Sequence, residues 1–292
     1  MLIPMTAPVV LDIDGSVGPL PDAVVLPLGA WQERIRFGCG MRAYREFAQL
    51  LDRALPAGHG TVFLGSGDFH HVSHALIARR SPDRRFKVVV LDNHPDNMRF
   101  AFGIHCGSWV RRVAALPWVS HVHVLGITSS DVTVAHAWEN YFTPLLRGKL
   151  TNWCIGVDVR WAARLGLAER FLAFDSAAEL LDRFAETQRN DPLPTYLTID
   201  KDVLNAGVAR TNWDQGCMSE AEMLQTIALF RGRLAGSDIT GDVSTYRYRT
   251  GWKRWMSAMD NQPDISGAQL ADWQDQQHAL NLRLLDALRV CD

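Results

Sequence analysis

Short apolar runs rich in valine, isoleucine and leucine recur along the chain, separated by longer stretches whose apolar positions fall at helical spacing. The short runs read as strands and the longer stretches as helices. Strands are predicted at residues 8–13, 61–64, 88–91, 121–127, 153–159, 196–199 and 238–243. Helices are predicted at 41–54, 71–80, 108–116, 135–147, 177–186 and 267–288, with another opening at Ser219. Pro56 and Gly58 end the first helix, and Ser-Pro-Asp at 81–83 closes the second. Ser108 is a candidate cap for the third, and Asp175 or Ser176 for the fifth. Ser219 and Glu222 have the spacing of a capping box. A Pro/Gly-rich connection runs through Pro19, Pro21 and Pro27, residues 203–218 read as a long loop, and 244–266 show no clear period. Alternation of strand and helix predicts an α/β fold with a mostly parallel sheet covered on both faces. No low-complexity linker or fixed-period repeat divides the chain, so residues 1–292 are expected to form a single domain.

Three of these strands bring acids or histidines to their carboxyl ends. The run at 88–91 stops at Asp92, and Asp92, His94 and Asp96 then occupy every second position. Alternate side chains of an extended backbone share a face, so two carboxylates and an imidazole converge. Pro95 has no N–H for a sheet ladder, and pairing should end there. The strand at 196–199 runs into Asp200, with Asp202 two residues on. The strand at 61–64 leads into a turn that carries Asp68, His70 and His71. Ligands of open α/β sheets sit outside the carboxyl ends of strands, so one site can draw on all three. Asp12 and Asp14 alternate in the same way, but a strand end turning on Asp-Gly is the simpler reading there. An isolated Asp-x-His-x-Asp can also be a solvated loop. The register of Asp200, Asp202 and the His70 turn with other strand ends argues against that.

Composition narrows the function classes. Hydrophobic residues make up 47% and charged residues 21%, as in an ordinary soluble globule. With a net charge of −2 and no basic stripe interleaved with aromatics, there is no electrostatic case for nucleic acid or an anionic membrane. The five cysteines (Cys39, Cys106, Cys154, Cys217 and Cys291) are odd in number and lack CxxC spacing. That argues against a disulfide framework or zinc knuckle and for a reducing compartment. The first residues lack a basic region followed by a long apolar one, and no run of about 18 apolar residues occurs, so neither a signal peptide nor a membrane span is expected. A cytoplasmic protein acting on a small molecule is the expectation.

Taken together, the motifs resemble the arginase/agmatinase (ureohydrolase) superfamily, as a divergent member. Its pattern is a Gly-Gly-acid-His-Ser turn, an Asp-x-His-x-Asp triplet, an Asp-x-Asp pair and a late Glu-Val. The chain offers each in order over about residues 60–245. Asp92, His94 and Asp96 match the triplet, and Asp200 and Asp202 the pair. Gly241-Asp242-Val243 stands at the late element, with Asp242 in place of Glu. Gly216-Cys-Met-Ser-Glu looks like the family's Gly-Gly-Leu-Thr segment, and Gly103-Ile-His-Cys-Gly like the segment carrying its mobile histidine. In the first turn Phe69 separates Asp68 from His70, so an ungapped match puts His70 at the ligand position, with His71 the alternative.

The resemblance implies a three-layer α/β/α fold and two manganese ions per chain, or another divalent metal. One ion would take His70, Asp92, Asp96 and Asp200, and the other Asp92, His94, Asp200 and Asp202. Five acids and histidines gathered at strand ends agree with this, since like carboxylates within ~4–6 Å resist joint ionisation. Oxygen ligands with imidazole also suit manganese better than a thiolate metal. The implied chemistry is hydrolysis of a C–N bond in a guanidino or amidine compound, with a metal-bridging hydroxide as nucleophile and urea plus an amine as products. Asp96 would orient the nucleophile, Asp242 would pair with the substrate's cationic nitrogens, and His105 would carry a proton to the leaving amine. Lys201, between two acids, should face away from the metals. The family's trimers and hexamers imply a homo-oligomer. Two alternatives stand beside this reading: a histone-deacetylase-like zinc amidohydrolase on a related architecture, and a metal-binding homologue without turnover.

Overall fold

The computed structural model describes residues 7–56, 58–80, 84–259 and 265–291. Its strands are β1 (Val9–Asp12), β2 (Val24–Pro27), β3 (Gly38–Cys39), β4 (Val62–Phe63), β5 (Phe86–Leu91), β6 (Ile104–His105), β7 (Val119–Ile127), β8 (Leu150–Ile155), β9 (Phe171–Phe174), β10 (Thr195–Asp200) and β11 (Leu234–Thr240). Nine of them form one sheet in the order β2-β1-β4-β11-β10-β5-β7-β8-β9, and every neighbouring pair is parallel. β3 and β6 make a separate two-residue antiparallel pair.

Both faces of the sheet are covered. On β5, Val88 and Val90 enter one apolar cluster while Val89 and Leu91 enter another. This two-sided burial is why the strand reads as an unbroken apolar run rather than an alternation. The first cluster takes Tyr44, Phe47 and Leu51 of the helix Met41–Ala54, with Leu76 and Val113 from the shorter helices Val72–Ala78 and Val110–Ala114. The second takes Leu180 and Phe184 of Ala177–Arg189, Met223 and Ile227 of Glu220–Ala228, and Leu280, Leu284 and Leu288 of Gly267–Arg289. Each fully buried leucine contributes about 1.5–3 kcal/mol, so the C-terminal helix is pinned firmly over the sheet. The chain is a single α/β domain of three layers.

Several boundaries differ from those expected. β2 and β9 went unread because both are short edge strands. Pro27 in β2 is tolerated there because an edge has one side free of ladder bonds. The helix expected at 135–147 is two short turns, Ala137–Glu139 and Phe142–Leu146, since Tyr141 N–H is diverted to the Asn97 carbonyl at 3.0 Å. Ser108 does not cap a helix; its hydroxyl accepts from His105 N–H at 3.0 Å in the preceding turn. The aperiodic stretch at 244–266 contains the helix Gly251–Met259. The expected helix end at 81–83 lies outside the described residues. Ser176 and the Ser219–Glu222 box cap their helices as expected.

Candidate metal centre

β5 and β10 are neighbours, with Leu91 in register with Ile199. Asp92 and Asp200 therefore leave the sheet side by side. Beyond β5 the chain moves on to β7, and beyond β10 to β11, in opposite directions across the sheet. The ends of these two strands form the crevice where open α/β sheets bind ligands. β4 reaches the same crevice through the turn Gly67–Phe69, where the Ser66 hydroxyl accepts from Asp68 N–H at 3.3 Å. A Cβ on Gly67 would stand 3.1 Å from Asp200 Oδ2, so any larger residue there would press on that carboxylate. Asp96 adopts φ +45°, a strained conformation of the kind that clusters at functional sites.

Four ligand-type groups meet at His70. Its Nδ1 lies 3.0 Å from Asp96 Oδ2, 3.1 Å from Asp92 Oδ2 and 3.4 Å from Asp200 Oδ2. The other ring nitrogen, Nε2, is 3.0 Å from Thr198 Oγ1. Thr198 gives its single hydroxyl proton to Asp238 Oδ1 at 2.6 Å, and Asp238 also accepts from Ser73 at 2.9 Å and Tyr196 at 2.8 Å. Thr198 must then accept from Nε2–H, which leaves an Nδ1 lone pair facing three carboxylate oxygens. Only a positive charge between them makes that arrangement stable, either a proton on Nδ1 or a bound cation. Asp92 Oδ2 is buried without a hydrogen bond of good geometry despite the 3.1 Å approach of His70, so it too is an acceptor without a donor. Trp109 fixes the last member, its indole N–H donating to Asp96 Oδ2 at 2.5 Å.

A second set adjoins the first. His94 Nδ1 lies 3.0 Å from Asp202 Oδ2 and 3.5 Å from Asp92 Oδ1. Ligand atoms of His70, Asp92 and Asp200 fall within 4.8 Å of one another, as do those of Asp92, His94 and Asp202. Asp92 belongs to both sets. Asp96 reaches His70 but not the mutually close trio, and Asp200 joins the second set through Asp202 N–H, which donates to its Oδ1 at 3.1 Å. The donor set is imidazole nitrogen and carboxylate oxygen, which fits divalent cations of the manganese type.

Comparison with solved structures gives the same fold across nearly the whole chain. The chain aligns with the proclavaminate amidino hydrolase from Streptomyces clavuligerus at a TM-score of 0.56 and 14% identity, covering 98% of this chain and 93% of that one. It aligns with the agmatine ureohydrolase of Thermoplasma volcanium at 0.52 and 11%, covering 98% and 90%. With the formimidoylglutamase from Bacillus subtilis the values are 0.51 and 14%, covering 97% and 86%. The chain has the ureohydrolase fold. In sequence it is 27% identical over 204 residues to an uncharacterized protein of Thermotoga maritima, a match that covers 70% of this chain and 65% of that protein. No family model matches the chain.

Within this ureohydrolase fold the remaining expected residues fall in different places. His71 is buried away from the acids, with neither ring nitrogen hydrogen-bonded, and burial pushes its pKa well down. His70 is therefore the histidine that meets the carboxylates. His105 packs against the rings of Phe100 and Phe37, with Nδ1 accepting from Gly107 N–H at 3.0 Å. Burial lowers it to about 3, so it is neutral. Asp242 departs from expectation. β11 ends at Thr240, and Gly241 turns the chain at φ +91°, so Asp242 is fully buried away from the crevice. Its Oδ1 accepts from Lys201 Nζ at 2.7 Å and Asn281 Nδ2 at 2.9 Å. Lys201 faces away from the acid sets as expected and is a structural group, buried beneath the C-terminal helix. Asp14 is structural, accepting from the Ser244 hydroxyl at 2.6 Å and pairing with buried Arg36 at 3.4 Å. The supporting groups Thr198, Asp238, Trp109 and Asp214 were not predicted. Thr198 alone carried a signal, since it alternates with Asp200 and Asp202.

Among the described residues the site is over-supplied with negative charge, and its titration reflects that. Burial and then repulsion from Asp92 raise Asp96 to about 7 and Asp202 to about 6. Burial alone would lower His70, but hydrogen bonds and charge from Asp92 and Asp96 outweigh it and hold the imidazole well above its usual value. Asp92 moves the other way, below the usual carboxylate range, because His70 and His94 outweigh its burial. Raised groups bind protons more tightly folded than unfolded. Their stabilisation is present below the unfolded pKa and is lost as pH rises through the folded values. The buried histidines His71, His74, His105, His121 and His123 are lowered and act in the opposite sense, but only below the usual histidine value of about 6.5. We therefore expect the metal-free protein to lose stability between pH 7 and pH 8, and manganese to restore it while releasing protons. Urea unfolding midpoints in chelator at the two pH values, repeated with manganese, check this. A metal-free midpoint that rises across that window would contradict it.

Proposed function

We propose that the chain is a dinuclear manganese hydrolase of the ureohydrolase type, cleaving a C–N bond in a guanidino or amidine small molecule to give urea and an amine. The observation that carries this reading is the double use of Asp92, whose two oxygens face two converging sets of imidazole and carboxylate atoms. In this reading His70, Asp92, Asp96 and Asp200 hold one cation, and Asp92, His94, Asp200 and Asp202 the other. Two such cations would lower the pKa of water and polarise the carbon under attack.

The chain's own groups would do the rest. Trp109 N–H holds one oxygen of Asp96 beside His70, which leaves Oδ1 to orient a water by accepting a hydrogen bond from it. Gly107 N–H occupies His105 Nδ1, so this neutral imidazole carries its one proton on Nε2, from which it would donate a hydrogen bond to the leaving nitrogen. One solved structure that shares the fold is named an amidino hydrolase and another an agmatine ureohydrolase, which supports the substrate class without fixing the substrate.

Elemental analysis after manganese reconstitution and desalting tests this, followed by a urea-release screen of guanidino compounds. About two manganese per chain with urea release is the expected result. A single zinc per chain would favour a deacetylase-like enzyme, full loading without hydrolysis would favour a binding protein, and no bound metal would end the enzyme reading.

A further inference from the structure

His94 is held at both ring nitrogens, and the second partner comes from outside the motifs. Asp214, in the loop between β10 and the helix Glu220–Ala228, places Oδ1 2.8 Å from His94 Nε2. Its main-chain carbonyl and Oδ2 also accept from Asn93 Nδ2 at 3.0 and 3.2 Å. The same asparagine donates its backbone N–H to Asp202 Oδ1 at 3.0 Å. Asp214 is thus tied to both neighbours of the second ligand set. Its position does not depend on its own carboxylate. On one side Asn212 and Ser244 exchange two bonds of 2.9 and 3.0 Å, and on the other Gly216 N–H donates to the Asp202 carbonyl at 2.7 Å.

We propose that Asp214 is a positioning residue that prepares His94 for the second cation, an inference that rests on the dinuclear reading above. A neutral imidazole carries one proton. If that proton sat on Nδ1 it would bridge to Asp202, and the lone pair the cation needs would be hidden. An acceptor carboxylate at Nε2 draws the proton to the far side, fixes the ring against rotation and leaves the Nδ1 lone pair aimed between Asp92 and Asp202. Outer carboxylates of this kind select the tautomer of metal-bound histidines and raise their basicity. His70 receives the same service from Thr198 and Asp238, so each histidine has its own outer acceptor. The His70 acceptor is buried, whereas the Asp214 side chain is 68% exposed.

Asp214→Ala and Asp214→Asn, compared with the wild-type full chain, test the proposal by calorimetric manganese titration and by the electron paramagnetic resonance signal of the coupled ion pair. The alanine variant should bind its first manganese as the wild type does and its second about 10- to 100-fold more weakly, with the coupled signal lost at limiting metal. Asp214→Asn keeps an acceptor oxygen and should restore most of the second affinity. Metal-free melting temperatures should fall only slightly, because the bonds lost to His94 and Asn93 are made by an exposed side chain and the main-chain contacts of the loop remain. Two wild-type affinities in the alanine variant, or equal weakening at both sites, would overturn the proposal. Fewer than two manganese bound by the wild type would overturn the dinuclear reading itself, and that is read before any variant.

Discussion

Asp92→Asn should empty both cation sites and abolish hydrolysis together. The side chain volume is nearly unchanged, so the fold should persist. The change lies in charge and in hydrogen-bond polarity. Asp92 Oδ1 accepts from His94 N–H at 2.7 Å, and an amide oxygen can keep that bond. The amide nitrogen must then take the place of Oδ2, and its two hydrogens would point at His70 Nδ1 and the neighbouring acids where a lone pair is needed. Each set loses a ligand that it shares with the other, and a cation cannot replace it with a donor group. Manganese per chain after desalting, the shift in melting temperature on adding manganese, and urea release would be measured side by side. All three should fall to background. A variant that keeps wild-type metal content, or that still turns over, would show that Asp92 is not a shared ligand.

The contrast with Asp214 is informative because both residues act on His94. Removing Asp92 strips a ligand from each site, whereas removing Asp214 changes only which tautomer His94 presents. A graded loss confined to the second site is a different signature from a collapse of both. The two experiments together separate holding a metal from preparing its ligand.

How much of this centre can be read from sequence follows from how each residue is delivered. Asp92, His94, Asp96, Asp200 and Asp202 sit where an apolar β-branched run stops, and a strand's two-residue period makes such acids conspicuous. The His70 turn was readable only as far as two adjacent histidines, because the choice between them depends on how a short turn closes over glycine. Asp214 comes from a loop with no period, and only the three-dimensional path of 203–218 brings it to His94. Asp242 was misplaced for a specific reason. The alternation in Asp-Ile-Thr-Gly-Asp-Val continues past the point where the strand ends, but Gly241 at φ +91° breaks it, and although Asp242 still pairs with Ser66 its side chain goes to Lys201 and Asn281. A Cβ at Gly241 would stand 2.4 Å from Asp200 Oδ1, so the residue that ends the strand also makes room for a proposed ligand. Lys201 shows the same limit. Its direction relative to Asp200 and Asp202 follows from alternation, but the helix that buries it begins far along the chain.

The buried Lys201–Asp242 pair leads to the second large expected effect, which is on stability. Both side chains are fully buried and 2.7 Å apart, and Asn281 of the C-terminal helix bonds to each. Burial pushes Asp242 up and Lys201 down, each toward its neutral form, and mutual attraction opposes both shifts. Such a pair adds little net stability, because desolvation offsets most of the attraction. Removing one partner is different, since it strands a charge in the interior at a cost of about 3–5 kcal/mol. Domains of this kind are stable by only about 5–15 kcal/mol, so Asp242→Ala should take away a large share. The double variant Lys201→Met with Asp242→Leu should recover much of it, short of the full amount because Asn281 Oδ1 loses its donor. Urea unfolding of the metal-free proteins measures both. The same variant decides what Asp242 does. If it bound a cationic substrate, Asp242→Ala would leave the unfolding midpoint in place and raise KM. If it instead holds Lys201 beneath the strand that carries Asp200 and Asp202, the midpoint should fall sharply, and the double variant should regain metal binding along with stability.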